Sequence, residues 1–309
     1  MSHELYKRYR PKKLSDVIGQ NQAVKVLSKM FEHSDIPHTL LLSGPSGCGK
    51  TTAAYIIRRQ LNCGKHDFAK INGADKRGID DARNITKKMH SAPLEGDCRI
   101  YLIDECHRMT GDAMSELLEA LEFTPEHVYF ILATTEPQKL LKAIRTRCTE
   151  IVFKSISESD TTKLLNDIVK KEKAKISDEV IERITENSGG SARTALVLLN
   201  KIFKLDNEED MLSSINSATL EKQGFDLAKA IFNYNSKWPD ISKLLNELKD
   251  EDPETIRWIV LGYAKAILLK AGSKIQDKAF VVIEAFRDNF YDSKHAGLAA
   301  ACYEIFNKV

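Results

Sequence analysis

The sequence lacks the long apolar run and the signal peptide that mark membrane and secreted proteins. No stretch of the 309 residues approaches the ~18 consecutive apolar residues that a membrane span requires. The first residues, MSHELYKRYRPKK, contain no apolar segment of the kind that a secretory signal needs. We therefore expect a cytosolic protein with no membrane partner.

Paired cysteines are also missing. The six cysteines are Cys48, Cys63, Cys98, Cys106, Cys148 and Cys302. Because no two of them form a C-x-x-C pair, the sequence argues against a zinc ribbon and a disulfide framework. Cys63 and His66 have the spacing of zinc ligands, but a structural zinc site needs four. We predict reduced thiols and no zinc.

Neither sign of charge dominates, since 46 Lys and Arg residues face 44 Asp and Glu residues, for a net charge of +2. The total charge therefore neither requires nor excludes a polyanionic partner, and any nucleic-acid surface must be local. The length of the chain suggests two or three domains.

The most informative segment is GPSGCGKT, Gly44 to Thr51, which lies between an apolar run and a helical pattern. Glycines let consecutive backbone N–H groups turn toward an anion, Lys50 can reach terminal phosphates, and the Thr51 hydroxyl can bind Mg²⁺. An ordinary glycine-rich turn rarely has this strand-and-helix setting. The predicted nucleotide-binding loop comprises Gly44, Pro45, Ser46, Gly47, Cys48, Gly49, Lys50, Thr51 and Thr52.

Strand and helix patterns alternate up to about residue 155. Strands are predicted at Thr39–Leu42, Asp67–Asn72, Arg99–Asp104, Val128–Thr134 and Glu150–Phe153, and helices at about 20–33, 51–61, 78–90, 111–122 and 137–143. Such alternation is typical of an α/β fold with a parallel sheet, helices on both faces and ligands at the carboxyl ends of the strands.

From Ser157 onward the pattern is helical only. Ser157 and Ser177 are predicted to cap helices, and a third helix should begin near Ser191. The acidic stretch from Asp206 to Asp210 suggests a linker or a short surface turn. Amphipathic helices should follow, broken at Pro239, Pro253 and Gly272. We predict three domains, 1–155, 156–207 and 208–309.

The strand before Asp104 and Glu105 suggests a second part of a hydrolytic site. Asp104 can hold Mg²⁺, and Glu105 can orient an attacking water. An acidic pair by itself often marks only a helix N-terminus. Because phosphoryl transfer needs both a phosphate loop and acidic residues, their combination favours the catalytic interpretation.

Other polar residues allow two interpretations. Thr134 and Thr135 end a buried strand and could sense a γ-phosphate, although threonine is also a common strand residue. Arginine stabilises charge on phosphate oxygens. The residues alone do not say whether Arg145, Arg147 or Arg193 meets a nucleotide.

Several segments together resemble an AAA+ clamp-loader ATPase, similar to bacterial DNA polymerase III gamma/tau and to replication factor C small subunits. They are KRYRPKKLSDVIGQ, GPSGCGKT, INGADKRGIDDAR, LIDECHRM, LEFTPEHVYFILATTEPQKL, RTRC and GGSARTAL. The resemblance implies an AAA+ P-loop domain, a small helical lid and an all-α collar. It also implies an ATPase that uses ATP and Mg²⁺ to open a sliding clamp and load it on primer–template DNA.

The resemblance assigns roles residue by residue. The implied catalytic residues are Lys50, Asp104, Glu105, Thr135 as sensor 1, Arg147 as the arginine finger toward a neighbouring subunit, and Arg193 as sensor 2. Thr51 and Asp104 would hold Mg²⁺. The implied border of the adenine site is Arg10, Pro11, Val17 and Ile18.

The implied partners are other clamp-loader subunits in a pentameric ring or spiral, a sliding clamp, and DNA held by its phosphates. The candidate DNA contacts are Arg83, Arg108, Lys76 and Arg77, with Lys87 and Lys88 nearby. A solvated charged face is the alternative for any single one of them.

The chain departs from the gamma/tau pattern in three places. The zinc module that follows the P-loop helix is missing, Thr146 replaces a serine before the finger arginine, and we expect no tau-type tail. Two other functions stay open. One is a non-catalytic stator subunit, although stators lose P-loop or acidic residues that are present here. The other is a different DNA-acting AAA+ ATPase, such as a Holliday-junction motor or a helicase loader.

Overall fold

The computed structural model describes residues 4–75, 78–205, 207–269 and 275–308. The chain divides into two compact units, Met1–Glu208 and Glu209–Val309. A boundary near residue 155, which would separate a lid from the P-loop domain, stays a prediction.

The first unit is built on one parallel sheet. Its strands are β1 Thr39–Ser43, β2 Phe68–Asn72, β3 Arg99–Asp104, β4 Val128–Thr134 and β5 Thr149–Val152, in the order β2-β3-β4-β1-β5. Every residue of β1 is buried, because this apolar strand lies inside the sheet between β4 and β5. The register pairs Ser43 with Thr134 and Asn72 with Asp104. The predicted parallel α/β sheet is confirmed, and its strand ends bring the candidate residues to one edge.

Helices cover both faces of the sheet. Those of the first unit are α1 Leu5–Arg8, α2 Asn21–Glu32, α3 Lys50–Gln60, α4 Ile79–Met89, α5 Gly111–Glu122, α6 Lys142–Arg147, α7 Glu158–Glu172, α8 Asp178–Ser188 and α9 Ala192–Ile202. Alternate strand residues face opposite apolar layers, so Leu41 and Ile103 pack with α4 and α5, whereas Leu40 and Leu102 pack with α2 and α3.

Serine side chains begin three of these helices, as the sequence predicts. The hydroxyls of Ser157, Ser177 and Ser191 accept hydrogen bonds from backbone N–H groups at 3.1, 3.4 and 3.2 Å. Each bond satisfies a donor that the first turn of a helix leaves free.

Two predicted elements are wrong. A helix over 137–143 is replaced by a 3₁₀ turn, Pro137–Lys139, followed by α6, because the backbone is extended at Leu140 and ends the turn there. Arg147 therefore ends a short helix. The linker expected up to Asp210 is helical from Glu208, where acidic side chains in a first turn favour the positive end of the helix dipole. Asp206 lies outside the described residues.

The second unit is helical. Its helices are α10 Glu208–Phe232, which begins at the last residue of the first unit, α11 Trp238–Glu247, α12 Pro253–Leu268, α13 Gln276–Ala285 and α14 Lys294–Lys308. The apolar stripe of α12 is mostly core, since Ile256 and Val260 are fully buried and Tyr263 packs against the same cluster. Pro239 and Pro253 lie at helix starts, where proline is tolerated. Gly272 lies outside the described residues.

Candidate active site

A cleft of about 380 Å³ lies at the carboxyl edge of the sheet in the first unit. It brings together most of the predicted nucleotide-site residues: Arg10, Pro11, Val17, Ile18, Ser46, Gly47, Cys48, Gly49, Lys50, Thr51, Thr52, Asp104, Glu105 and Arg193. Thr135 and Arg147 are not among the residues that line it. The cleft has the position that ligands take in open parallel sheets.

The loop from Gly44 to Gly49 connects β1 to α3 and holds the Lys50 side chain. The ammonium group of Lys50 donates to the carbonyl oxygens of Gly44 and Pro45 at 2.6 and 2.7 Å. Burial lowers the pKa of Lys50 below its ordinary value, although the carboxylates of Glu105 and Asp104 act in the opposite direction. An anion in the loop would offer this buried cation a stronger partner than two carbonyl groups.

Gly47 shows why this loop needs glycine. Its φ is +75°, and a Cβ there would lie 2.1 Å from the Ser191 hydroxyl oxygen. A side chain at Gly47 would therefore be strained and would collide with the start of α9. This close approach places the loop beside Arg193, whose Cβ lies 3.3 Å from the same point.

Asp104 ends β3 and has two partners across the cleft floor. The Thr51 hydroxyl donates to its Oδ2 at 3.3 Å, and the Lys70 ammonium lies 2.9 Å from the same oxygen. Lys70 was not predicted from the sequence. It lies on β2, two residues before the end of that strand, and β2 pairs with β3, the strand that ends at Asp104. This register is the feature that could have indicated Lys70.

The Thr51 hydroxyl and the Asp104 carboxylate fit a site for Mg²⁺. Both are hard oxygen donors, and Mg²⁺ is usually held by one or two protein oxygens together with waters and substrate phosphates. Among the described residues, no three His, Cys, Asp or Glu side chains cluster in a way that could hold a metal ion. A metal here would therefore depend on oxygens from the nucleotide.

Glu105 follows Asp104 in a left-handed backbone conformation, with φ 53° and ψ 42°. Such a conformation is uncommon outside glycine and is found at functional sites. The neighbouring backbone is close, because a Cβ at Gly73 would lie 2.6 Å from the Glu105 carbonyl oxygen. The Thr135 hydroxyl donates to Glu105 Oε2 at 3.4 Å. Thr135 thus contacts the proposed catalytic carboxylate from just behind the cleft lining.

Thr134 has a different environment from Thr135. Its side chain is fully buried, and its oxygen accepts the N–H of Glu136 at 3.0 Å. His107 Nδ1 lies 3.0 Å from the same oxygen. His107 was not predicted, because no spacing rule distinguishes it from an ordinary loop histidine.

Two arginines that line the cleft contact aromatic rings. The Arg193 guanidinium lies 5.9 Å from the centre of the Tyr6 ring, and the Arg10 guanidinium lies 5.2 Å from that of Tyr55. Tyr6 also lines the cleft and was not predicted. Flat rings and guanidinium planes offer surfaces on which a base can stack.

Arg147 lies apart from this cleft. Its guanidinium is paired with Glu122 at the end of α5 and donates to the Ala143 carbonyl at 3.1 Å. Its backbone carbonyl accepts the Thr39 hydroxyl at 2.5 Å. Arg145 lies 3.9 Å from Glu150. The structure therefore separates the candidate finger from the nucleotide site of its own chain.

Of the candidate DNA contacts, Arg83 lies on α4, which follows β2, and Arg108 lies in the 3₁₀ turn that follows β3. Arg83 lies 3.6 Å from both Asp80 and Glu116, so its charge is already partly paired. Arg108 is exposed. Lys76 and Arg77 lie outside the described residues.

Cys63 and His66, which have the spacing of zinc ligands, lie shortly after the end of α3. Cys63 and Cys98 are buried free thiols, and His66 Nδ1 lies 2.8 Å from Glu95. The absence of zinc stays a prediction.

None of the helices in the described ranges combines the length and apolarity that crossing a bilayer demands.

Comparison with known proteins decides the family. Residues 65–157 match the family model of the DNA polymerase III delta subunit, and residues 2–107 match that of the Rad17 P-loop domain. The chain is 32% identical to the DNA polymerase III subunit gamma of Buchnera aphidicola subsp. Schizaphis graminum, over 75% of this chain and 71% of that one. The chain belongs to the DNA polymerase III gamma/tau family.

Other gamma/tau proteins are longer. The DNA polymerase III subunit tau of Bacillus subtilis is 32% identical over 87% of this chain, but the match spans only 52% of that subunit. This gamma/tau family chain thus spans about half the length of that relative. Among solved structures, the Thermotoga maritima RuvB Holliday junction branch migration motor aligns with a TM-score of 0.58 and 23% identity, covering 73% of this chain and 80% of that one. That likeness concerns the AAA+ fold alone.

Proposed function

We propose that this gamma/tau family chain is an ATP-hydrolysing subunit of a clamp loader, which opens a sliding clamp and loads it on primer–template DNA. The observation that carries the proposal is the meeting of Lys50, Thr51, Asp104 and Glu105 in one cleft. Phosphoryl transfer requires this combination of a phosphate loop, a metal-binding oxygen pair and a carboxylate.

Within the cleft each residue has a distinct task. Lys50 transfers its hydrogen bonds from the loop carbonyls to the terminal phosphates. Glu105 orients the attacking water and accepts a proton from that water. Thr135, in contact with Glu105, senses the γ-phosphate. Thr51 and Asp104 would hold Mg²⁺, which would supply positive charge that stabilises the phosphate oxygens. Arg193 and the N-terminal residues Arg10 and Pro11 enclose the nucleotide from the other side.

The proposal assigns Arg147 to the nucleotide of a neighbouring subunit. The separation of Arg147 from its own cleft supports this assignment, because a guanidinium on another surface can stabilise phosphate charge only in a second copy or partner chain. ATP bound between subunits then stabilises the assembled state, and hydrolysis removes that contact. The second unit, Glu209–Val309, would serve as the oligomerisation collar.

DNA would be held through its phosphates by Arg83, Arg108 and, with them, Lys76 and Arg77. Such contacts do not depend on sequence and weaken with salt. For Arg83, binding requires that DNA phosphates replace Glu116 and Asp80 as its partners.

The test is ATP hydrolysis by the purified full chain, alone and with the other clamp-loader subunits of the same replication system. Addition of the sliding clamp and primed DNA together should raise the rate, and Lys50→Ala should remove both basal and stimulated hydrolysis. A rate that responds to neither clamp nor DNA would overturn the clamp-loader function.

A further inference from the structure

His107 lies in the 3₁₀ turn Cys106–Arg108, two residues after Glu105 in the chain. Its side chain is only 4% exposed. Its Nε2 is 3.2 Å from Glu136 Oε1. Its Nδ1 is 3.0 Å from the Thr134 hydroxyl and 3.6 Å from Glu105 Oε2. A buried imidazole thus stands between the proposed catalytic carboxylate and the end of β4.

Both nitrogens of the His107 ring have polar partners. A carboxylate only accepts hydrogen bonds, so the Nε2 that faces Glu136 carries a hydrogen. The Thr134 oxygen accepts the N–H of Glu136 and lies 3.0 Å from Nδ1, a contact in which either atom can be the donor. Glu136 is held in turn by Lys139, at 2.7 Å. The ring is therefore fixed on both sides, as a group that orients its neighbour must be.

The Glu105 carboxylate faces this ring. Its Oε2 has two neighbours, the Thr135 hydroxyl at 3.4 Å and His107 Nδ1 at 3.6 Å, and its backbone is held in the left-handed region. Thr134, Thr135 and Glu136 are consecutive residues at the end of β4, so their contacts connect this strand end to both the imidazole and the Glu105 carboxylate.

We propose that His107 is a positioning residue that sets the orientation of the Glu105 carboxylate and couples it to the sensor end of β4. The inference rests on the proposed ATPase function. It adds a group that does not touch the nucleotide but determines whether Glu105 points toward the attacking water.

The test compares variants of the full chain in ATP binding and in single-turnover hydrolysis. His107→Phe keeps a buried ring without nitrogen atoms, and His107→Asn restores a polar group near the position of Nδ1. We expect His107→Phe to keep nucleotide affinity and melting temperature but to hydrolyse ATP about 10- to 100-fold more slowly, the effect of a small misplacement of a catalytic group. His107→Asn should recover part of the rate. His66→Phe, which removes an exposed histidine–carboxylate pair, is the matched control and should not change the rate.

A second variant keeps the inference testable if the ring substitution prevents folding. Glu136→Leu removes the Nε2 partner and should slow hydrolysis in the wild-type background but not further in His107→Phe. Normal hydrolysis by His107→Phe or by Glu136→Leu alone, or additive effects of the two substitutions, would contradict the positioning role. These results leave the proposed function intact as long as the wild-type chain hydrolyses ATP, whereas an inactive wild-type chain would defeat the proposed function itself.

Discussion

The Thr51 hydroxyl donates to the Asp104 carboxylate at 3.3 Å, although 53 residues separate them in the chain. Thr51 is in the first turn of α3 and Asp104 is the last residue of β3. The parallel sheet brings these two positions together. Thr51 follows the loop after β1, Asp104 ends β3, and both strands have their carboxyl ends at the same edge of the sheet. The pair defines the oxygen donors with which the chain itself can hold a metal ion.

Thr51→Val should raise the Mg²⁺ concentration needed for half-maximal ATP hydrolysis. The substitution keeps the shape of the side chain and removes its oxygen. We expect an increase of at least about tenfold, equivalent to roughly 1.4 kcal/mol. Titration of hydrolysis with MgCl₂ measures it. Thr86→Val, which removes a hydroxyl that donates to the Ala82 carbonyl of α4, is the control and should not alter the requirement.

Glu105→Gln should separate nucleotide binding from turnover. An amide preserves the size of the side chain but cannot accept a proton from water, so hydrolysis should fall by about 10²- to 10⁴-fold. Fluorescent-nucleotide binding should stay close to that of the wild type. Glu95→Gln is the matched control, because Glu95 pairs with His66 outside the cleft. Equal hydrolysis by Glu105→Gln and the wild type would assign the catalytic carboxylate elsewhere.

Arg147→Ala should suppress hydrolysis that depends on assembly. If Arg147 reaches a neighbouring nucleotide, its loss lowers the clamp- and DNA-stimulated rate by up to about a thousandfold, as for other arginine fingers. Steady-state hydrolysis in the assembled complex measures the effect. Arg145→Ala, two residues away and near Glu150, should keep the stimulated rate. A stimulated rate that survives the loss of Arg147 removes the residue from the mechanism.

Asp67→Asn should destabilise the first unit at neutral pH. Burial by itself would raise the pKa of Asp67, but the N–H groups of Leu94 and Glu95 and the Arg99 guanidinium outweigh it and lower that pKa. The stability that this carboxylate contributes is therefore complete above its unfolded pKa of about 3.9 and is lost as the pH falls through the lower native value.

Thermal unfolding of the full chain from pH 7 to pH 3 tests this prediction. At pH 7 the substitution should cost about 2 kcal/mol, because charged hydrogen bonds are lost. The difference from the wild type should shrink toward acid. Asp97→Asn, at an exposed position, is the control. A difference that grows toward acid would show that the native pKa of Asp67 is raised instead.

The sequence predicts much of the sheet and the cleft because their determinants are local. The apolar run before Gly44, bounded by a glycine-rich loop, is typical of an interior strand. The residues that follow parallel strands lie at one edge of the sheet. Ser157, Ser177 and Ser191 mark helix starts through hydrogen bonds within three residues. Local signals of this kind can be read without knowing the tertiary structure.

Other features depend on contacts between distant residues and could not be predicted in this way. His107 is distinguished only by its burial between Glu105 and Glu136, and Lys70 only by the register of β2 beside β3. The prediction of a helix over 137–143 was wrong because a local apolar pattern does not show that the backbone is extended at Leu140. The nucleotide that Arg147 meets belongs to another chain under the proposed mechanism, so no pattern within this sequence identifies it.

The most direct test of the proposed function is retention of the sliding clamp on closed circular primed DNA. The full chain is combined with the clamp and the other clamp-loader subunits of its replication system, with ATP and Mg²⁺, and clamp bound to DNA is separated from free clamp. The account predicts retention that requires ATP, is lost with Lys50→Ala, and disappears when the circle is cut so that the ring can slide off. Retention that is equal with the wild-type chain and with Lys50→Ala would contradict it.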